Sequence, residues 1–310
     1  MAEEIHTGRE FYPQAQRALH LQAIGFYFTS KAHRDTYPAI DPSKRDFTGR
    51  YVFITGASKG IGEQIALSYA SAGAAGIGVG ARSDLAALTP KIEAAAIAAG
   101  KPIPKVVPVT LDVTDEESVS AAAKTISGSF PRLDILVNNA GYLEYRSKIK
   151  DSDPEEWWKT WTVNVKGPYL VSRAFLPFII EKGGDKIIVN LSSIAAHLTA
   201  PGGSAYQTSK LAVQRFTEFL DVDHGPDGIL TFGIHPGGIL TDMGKRLPAS
   251  RHAALTETPK LPADTIVFLT ETRREWLAGR YLSATWDVEE LLSKEEEVVA
   301  GDKLKVRMRV

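Results

Sequence analysis

The chain has 310 residues, 44% hydrophobic and 24% charged, a composition that excludes disorder and suits one large α/β domain. A formal net charge of −1 gives no basic field for nucleic acid or an anionic membrane. Without cysteine there are no disulfides, thiolate nucleophiles or cysteine zinc sites; no His/Asp/Glu cluster has ligand spacing either, so no metal is expected.

Residues 1–46 read as an N-terminal extension. The opening MAEEIHTGRE is acidic and polar where a signal peptide is basic and then apolar, which points to the cytoplasm. The stretch Leu19–Phe28 contains Gln22 and falls short of the roughly 20 residues a membrane span needs, so it reads as a surface or docking segment. From Tyr51 onward, short β-branched runs alternate with longer amphipathic stretches, the mark of βαβ units and a parallel sheet. Strands are predicted at Tyr51–Thr55, Gly76–Ala81, Lys105–Asp112, Leu133–Asn138, Asp185–Leu191, Ile229–Ile234 and Arg280–Ser283. Helices are predicted at 60–72, 83–99, 115–129, 154–182, 204–222 and 262–272; Asp153-Pro154-Glu155-Glu156 supplies an N-cap and an acidic first turn for the fourth. A single domain is expected over 47–285, and 286–310 reads as a C-terminal extension. Glu295–Glu297 looks like a solvated helix face. In 303–310 charged and apolar residues alternate with a strand period that would put Leu304, Val306, Met308 and Val310 on one face.

The first strand runs into Thr55-Gly56-Ala57-Ser58-Lys59-Gly60-Ile61-Gly62 and then a helix. Glycines at 56, 60 and 62 let the chain turn tightly and bring amides to a pyrophosphate, and the helix N-terminus favours the same anion. The second strand ends Gly80-Ala81-Arg82-Ser83, with no acid for a ribose 2′-hydroxyl before Asp84. Arg82, with Lys59 beside it, instead suits a 2′-phosphate, so NADP(H) is expected over NAD(H).

Tyr206 and Lys210 lie four residues apart and share a helix face. A lysine ammonium one turn away favours the phenolate and draws a hydroxyl of ordinary pKa ~10 toward the working range. The fifth strand ends Asn190-Leu191-Ser192-Ser193, at the edge where doubly wound sheets bind ligands; Ser193 is chosen over Ser192 as the group that polarises a carbonyl.

With these residues in order the chain resembles the short-chain dehydrogenase/reductase family over about 48–285. The supporting motifs are the TGASKGIG turn, Leu111-Asp112-Val113, Asn138-Asn139-Ala140-Gly141, Asn164, Ser193, Tyr206/Lys210 and Pro236-Gly237-Gly238-Ile239-Leu240-Thr241. The resemblance implies a seven-stranded Rossmann-type sheet of order 3-2-1-4-5-6-7 and a homodimer or homotetramer through the 154–182 and 204–222 helices. It implies Tyr206 as general acid/base and Ser193 as carbonyl-orienting. Lys210 would hold the nicotinamide ribose, and Asn164 would hold a water that links Lys210 to solvent. Asp112 and Val113 would contact the adenine, Asn139, Ala140 and Gly141 would line the cleft, and Ile239 and Thr241, after Pro236 and Gly237, would fix the carboxamide. The cofactor set thereby also takes in Ser58, Ile61 and Ser83.

The implied reaction interconverts a ketone or aldehyde and an alcohol. The alternatives are flow toward oxidation with NADP+, or a non-redox isomerase, cyclase or NADPH-sensing binder on the same fold. His197 and His235 read as packed histidines, and Trp157 and Trp161 share a core or subunit-contact face. The variable segment between Thr241 and Pro262, with Met243, Leu247, His252 and Leu255, reads as the substrate lid. The extended tails are similar to those of fungal reductases of specialised metabolism.

Overall fold

The β-branched runs form seven strands in a computed structural model that describes residues 25–308: β1 (Tyr51–Thr55), β2 (Gly76–Ala81), β3 (Lys105–Thr110), β4 (Ile135–Asn138), β5 (Ile187–Leu191), β6 (Leu230–His235) and β7 (Tyr281–Ser283). All pair in parallel in one doubly wound sheet of order β3-β2-β1-β4-β5-β6-β7, as the sequence predicts. Around it lie α1 (Gly60–Ser71), α2 (Leu88–Ala98), α3 (Glu116–Ser129), α4 (Pro154–Trp161), α5 (Gly167–Lys182), α6 (Ser204–His224), α7 (Lys260–Glu271), α8 (Val288–Ser293) and α9 (Glu295–Ala300).

Strand side chains alternate between two buried layers. Val52, Ile54, Ile135, Val137, Ile187 and Val189 join the core of α1 and α7, while Phe53, Leu136 and Ile188 join that of α3 and α5. Gly76, Gly78 and Gly80 of β2 let Tyr51, Phe53, Phe130 and Ile126 rest directly on its backbone; a Cβ at Gly78 would lie 2.7 Å from Ile126 Cδ1. Pro108 is tolerated within β3 because β3 is an edge strand and loses no ladder partner on its outer side.

Three elements depart from expectation. The helix predicted over 154–182 is interrupted by a π-turn at Thr162–Lys166, which turns buried Asn164 inward. The helix predicted from 83 begins at Leu88, because Asp84 accepts a hydrogen bond from Ala86 N (2.9 Å) and closes a local turn instead. Residues 303–308 form no strand: Leu304 has φ of +64°, and Tyr281 N donates to its carbonyl (2.7 Å). Glu218 then accepts from Val306 N (3.0 Å) and Arg307 Nη1 (2.7 Å), so side-chain bonds rather than a ladder hold the tail. Val310 lies outside the described residues, as do 1–24, which contain most of the Leu19–Phe28 stretch.

The two flanking segments meet. Ala32 bridges antiparallel to Trp286, His33 Nε2 lies 2.9 Å from Asp287 Oδ2, and the Glu290 carboxylate accepts from Ser30 N and Oγ. Trp286 donates to Gly25 O (2.9 Å) and packs on Phe28; Ile40 and Phe47 are fully buried in the same core as β1 and β6.

Candidate active site

Thr55 ends β1, and the glycine turn leads directly into α1. Gly56 and Gly60 have φ of +67° and +64°, and a Cβ on Gly62 would lie 2.4 Å from Gly56 O and 2.5 Å from Asn139 Nδ2. Asn139 Nδ2 donates to Thr55 O (2.8 Å) and Gly56 O (3.1 Å), while Thr55 Oγ1 accepts from Asn139 N (3.0 Å) and Ala140 N (3.1 Å). The Asn139–Gly141 segment is thus stitched to the turn through the Thr55 hydroxyl, a role the sequence pattern does not assign to it. The first turn of α1 has no side-chain cap, so a cradle that only glycine fits presents its amides, and a pyrophosphate matches that donor set.

Around the cradle, Ser58 and Ile61 are half-buried, and Lys59 is exposed and ion-paired to Asp242 (2.8 Å). Arg82 and Ser83 are exposed at the end of β2. Asp112, just beyond β3, faces Arg82: burial raises its pKa, but bonds from Thr114 and the Arg82 charge outweigh that and hold it below the usual carboxylate range. Val113 is buried and packs on Gly167. After β6, Pro236 and Gly237 turn the chain, with Gly237 at φ of +101°. Gly238 N donates to Glu257 (2.8 Å), Ile239 is buried, and Thr241 reaches the glycine turn, its Cγ2 3.4 Å from where a Gly60 Cβ would lie.

Tyr206 and Lys210 share a face of α6, the lysine Nζ 5.7 Å from the ring centroid. Lys210 is buried, donates to Leu191 O (2.7 Å), and is pulled down to about 8 by burial. Burial pushes the Tyr206 hydroxyl up to about 12, against a hydrogen bond from Ser193 and with help from the Glu144 charge. In this geometry burial, rather than Lys210, dominates the phenol, because the ammonium is turned to the Leu191 carbonyl. Ser193 is the serine that reaches Tyr206; Ser192 Oγ is buried with no hydrogen-bond partner.

Asn164 Nδ2 donates to Tyr142 O (2.9 Å) and Ser209 Oγ (3.0 Å), its Oδ1 accepts from Tyr142 N (2.8 Å), and Ser209 Oγ donates to Tyr206 O (2.8 Å). Its amide therefore braces the backbone around Tyr206. Glu144 is a second brace. It is 8% exposed, accepts from Thr160 Oγ1 (3.0 Å) and accepts from Tyr206 N itself (3.2 Å). A lone loop acid carries no periodic or motif signal, so sequence reading misses it.

His197 packs edge-on against Tyr281 (4.6 Å) and is held below its usual pKa by burial. Buried His235 is pulled down to about 3 by burial and by the nearby His197. Trp157 and Trp161 stack at 5.5 Å, and Trp157 Nε1 donates to Ser204 Oγ (3.2 Å) beside the start of α6. Among the described residues no group of three or more His, Asp or Glu could hold a metal, and no helix is long and apolar enough to cross a membrane.

This arrangement meets a family model described as short chain dehydrogenase, which matches residues 50–252. The chain belongs to the short-chain dehydrogenase/reductase family. It is 52% identical over 286 residues to "Short chain dehydrogenase citE" of Monascus ruber, covering 92% of this chain and 98% of that one. With "Short chain dehydrogenase pigC" of the same organism it shares 50% over 291 residues, 93% and 96% of the two chains. Among solved structures, the fold is similar to an alcohol dehydrogenase from Thermococcus sibiricus complexed with 5-hydroxy-NADP (27% identity, TM-score 0.63, 76% of this chain and 95% of that one). It is also similar to a 7α-hydroxysteroid dehydrogenase complexed with NADH and 7-oxo glycochenodeoxycholic acid (25%, TM-score 0.68, 81% and 97%). A nicotinamide cofactor and a small-molecule substrate follow from the family.

Proposed function

We propose that this short-chain dehydrogenase is an NADPH-dependent reductase of a ketone or aldehyde, with Tyr206 as its general acid. The observation that carries the reading is the meeting of Ser193, just beyond β5, with Tyr206 and Lys210 on one face of α6. Bound in the cleft, the reduced nicotinamide supplies a hydride to the carbonyl carbon. Ser193 donates a hydrogen bond to the carbonyl oxygen and holds it against the Tyr206 hydroxyl, which gives up its proton. Lys210 holds the ribose, and Asn164 keeps the Tyr206 turn in place through Ser209. In the opposite direction the same groups oxidise an alcohol, with Tyr206 as base.

Arg82, at the end of β2 with no acid in the sequence there before Asp84, supports NADPH over NADH. Calorimetry should give NADPH at least tenfold tighter binding, about 1.4 kcal/mol, with the gap erased by Arg82→Ala. Equal binding of the two cofactors would sink that preference. Tyr206→Phe should lose about 10²–10⁴-fold in turnover while keeping cofactor affinity. A single turnover that leaves the cofactor unoxidised would favour a non-redox role instead. The reading also takes the protein as a cytoplasmic homo-oligomer. Exposed Tyr169 on α5, with Leu211, Phe219 and Val222 on α6, supports an apolar subunit contact there, which light scattering tests.

A further inference from the structure

The lid segment after β6 is tied at two places. At one, Asp242 pairs with Lys59 of the glycine turn (2.8 Å); at the other, Thr258 N donates to Arg34 O (2.8 Å). Between them the chain makes a tight turn over Gly244–Arg246. Thr241 O accepts from Lys245 N (2.9 Å), Thr241 Oγ1 accepts from Gly244 N (3.2 Å), and Gly244 O accepts from Leu247 N (3.1 Å). A turn bonded to itself in this way moves as one body, and its outside contacts decide where it sits. Those contacts are with the loop after β4. Arg246 Nη1 donates to Leu143 O (2.8 Å), and its guanidinium lies 4.6 Å and 5.0 Å from the Tyr142 and Tyr145 ring centroids. Met243 Cε is 3.5 Å from a Cβ built on Gly141.

Tyr142 is where these contacts converge. Lys159 of α4 lies 4.7 Å from the same ring centroid, and the Tyr142 hydroxyl donates to Glu156, which also pairs with Lys159 (3.0 Å). The backbone of Tyr142 belongs to the π-turn: Asn164 Oδ1 accepts from its N (2.8 Å), and Asn164 Nδ2 donates to its O (2.9 Å). The same Nδ2 donates to Ser209 Oγ (3.0 Å), which donates to Tyr206 O (2.8 Å). Glu144, two residues along the loop, accepts from Tyr206 N (3.2 Å). The loop on which the lid rests therefore governs both backbone groups of Tyr206. A guanidinium held by rings and one carbonyl is held less tightly than one in a bidentate carboxylate pair, which suits a segment that opens to admit substrate.

We propose that Tyr142 is a positioning residue: Arg246 latches the lid by stacking on its ring, and Asn164 and Ser209 carry that closure to the Tyr206 backbone. The proposal rests on Tyr206 as the reacting group. Amide-resolved hydrogen exchange by NMR on the full chain tests it, with rates corrected for neighbouring residue type. In Arg246→Gln the amides of Gly244, Lys245 and Leu247 should exchange about tenfold faster, and those of Tyr142 and Tyr206 should follow. Amides of β1 and β5 should keep their rates, which separates lid opening from a weaker fold. Arg246→Lys should fall between wild type and Arg246→Gln. Tyr142→Phe, which keeps the ring, should leave the lid at its wild-type rates, and Tyr142→Leu should speed it. The double variant Arg246→Gln/Tyr142→Leu should be no faster than Arg246→Gln alone, because both changes remove one contact. Wild-type lid exchange in Arg246→Gln, additive effects in the double variant, or a lid that opens while the Tyr142 and Tyr206 amides stay protected would each overturn it. A Tyr206→Phe protein that keeps its turnover would overturn the reading on which the proposal rests, and turnover tells that failure apart from a failure in exchange.

Discussion

Glu144 sets a carboxylate against the amide of the residue whose hydroxyl is proposed to react. Its charge raises the Tyr206 pKa, so taking the charge away lowers it. Glu144→Gln keeps an acceptor for Tyr206 N and Thr160 Oγ1 but is neutral. In the direction of alcohol oxidation, where Tyr206 must be ionised, the alkaline rise in kcat/KM should move to lower pH in this variant. Glu144→Ala should make the same move and also lower the melting temperature, because the Thr160 hydroxyl and the Tyr206 amide lose their acceptor. A rise at the wild-type pH in both variants would put the charge out of reach of the phenol. His235 makes a separate prediction of known sign. Its folded pKa of about 3 lies below the ~6.5 of an unfolded histidine, so between those values the unfolded chain binds one more proton than the fold. Stability is therefore lost as pH falls from about 6.5, by up to ~1.4 kcal/mol per pH unit from this group. Urea midpoints taken at successive pH values should show a shallower slope for His235→Gln, whatever its absolute stability.

Among the elements, the glycine turn makes the sharpest demand on sequence. A methyl at Gly62 meets the Gly56 carbonyl and Asn139 Nδ2 well inside contact distance, and both are fixed by the Thr55–Asn139–Ala140 bonds. Gly62→Ala should cost ~1–3 kcal/mol of stability by overpacking, and it should lower nicotinamide-cofactor affinity by more than the same change at exposed Gly128, where a Cβ has open space. Equal affinity in the two variants would separate the turn from the cofactor. The turn and the sheet order were readable because each rests on local rules: glycine at positive φ, period-two burial, a proline confined to an edge. The π-turn at Asn164 was not, because its cause is a set of side-chain bonds to Tyr142 and Ser209, distant in sequence. Glu144 and Thr55 escaped for the same reason, as their partners sit 16–85 residues away. The tail at 303–308 misled because alternation fixes which side chains could share a face, while Leu304 at positive φ decides whether a strand exists at all.

At the scale of the molecule, the segments before β1 and after β7 close over one end of the sheet. Trp286 is 2% exposed, packs on Phe28 and Tyr281, donates to Gly25 O, and lies in the core cluster that holds β1, β4, β5 and β6 side chains. Its removal is therefore a core truncation, for which ~3–5 kcal/mol is the usual cost. Ser30 and Glu290 join the same two segments through hydrogen bonds at the surface, and cutting them with Glu290→Ala should cost far less. The contrast separates two kinds of architecture. If the flanking segments fold as part of the sheet's own core, Trp286→Ala shifts a single urea transition to lower concentration with its steepness unchanged. If they are appendages, Trp286→Ala creates an early, shallow transition, and the main one keeps the wild-type midpoint. The burial of Ile40, Phe47 and Trp286 together with β-strand side chains makes the single shifted transition the expected result.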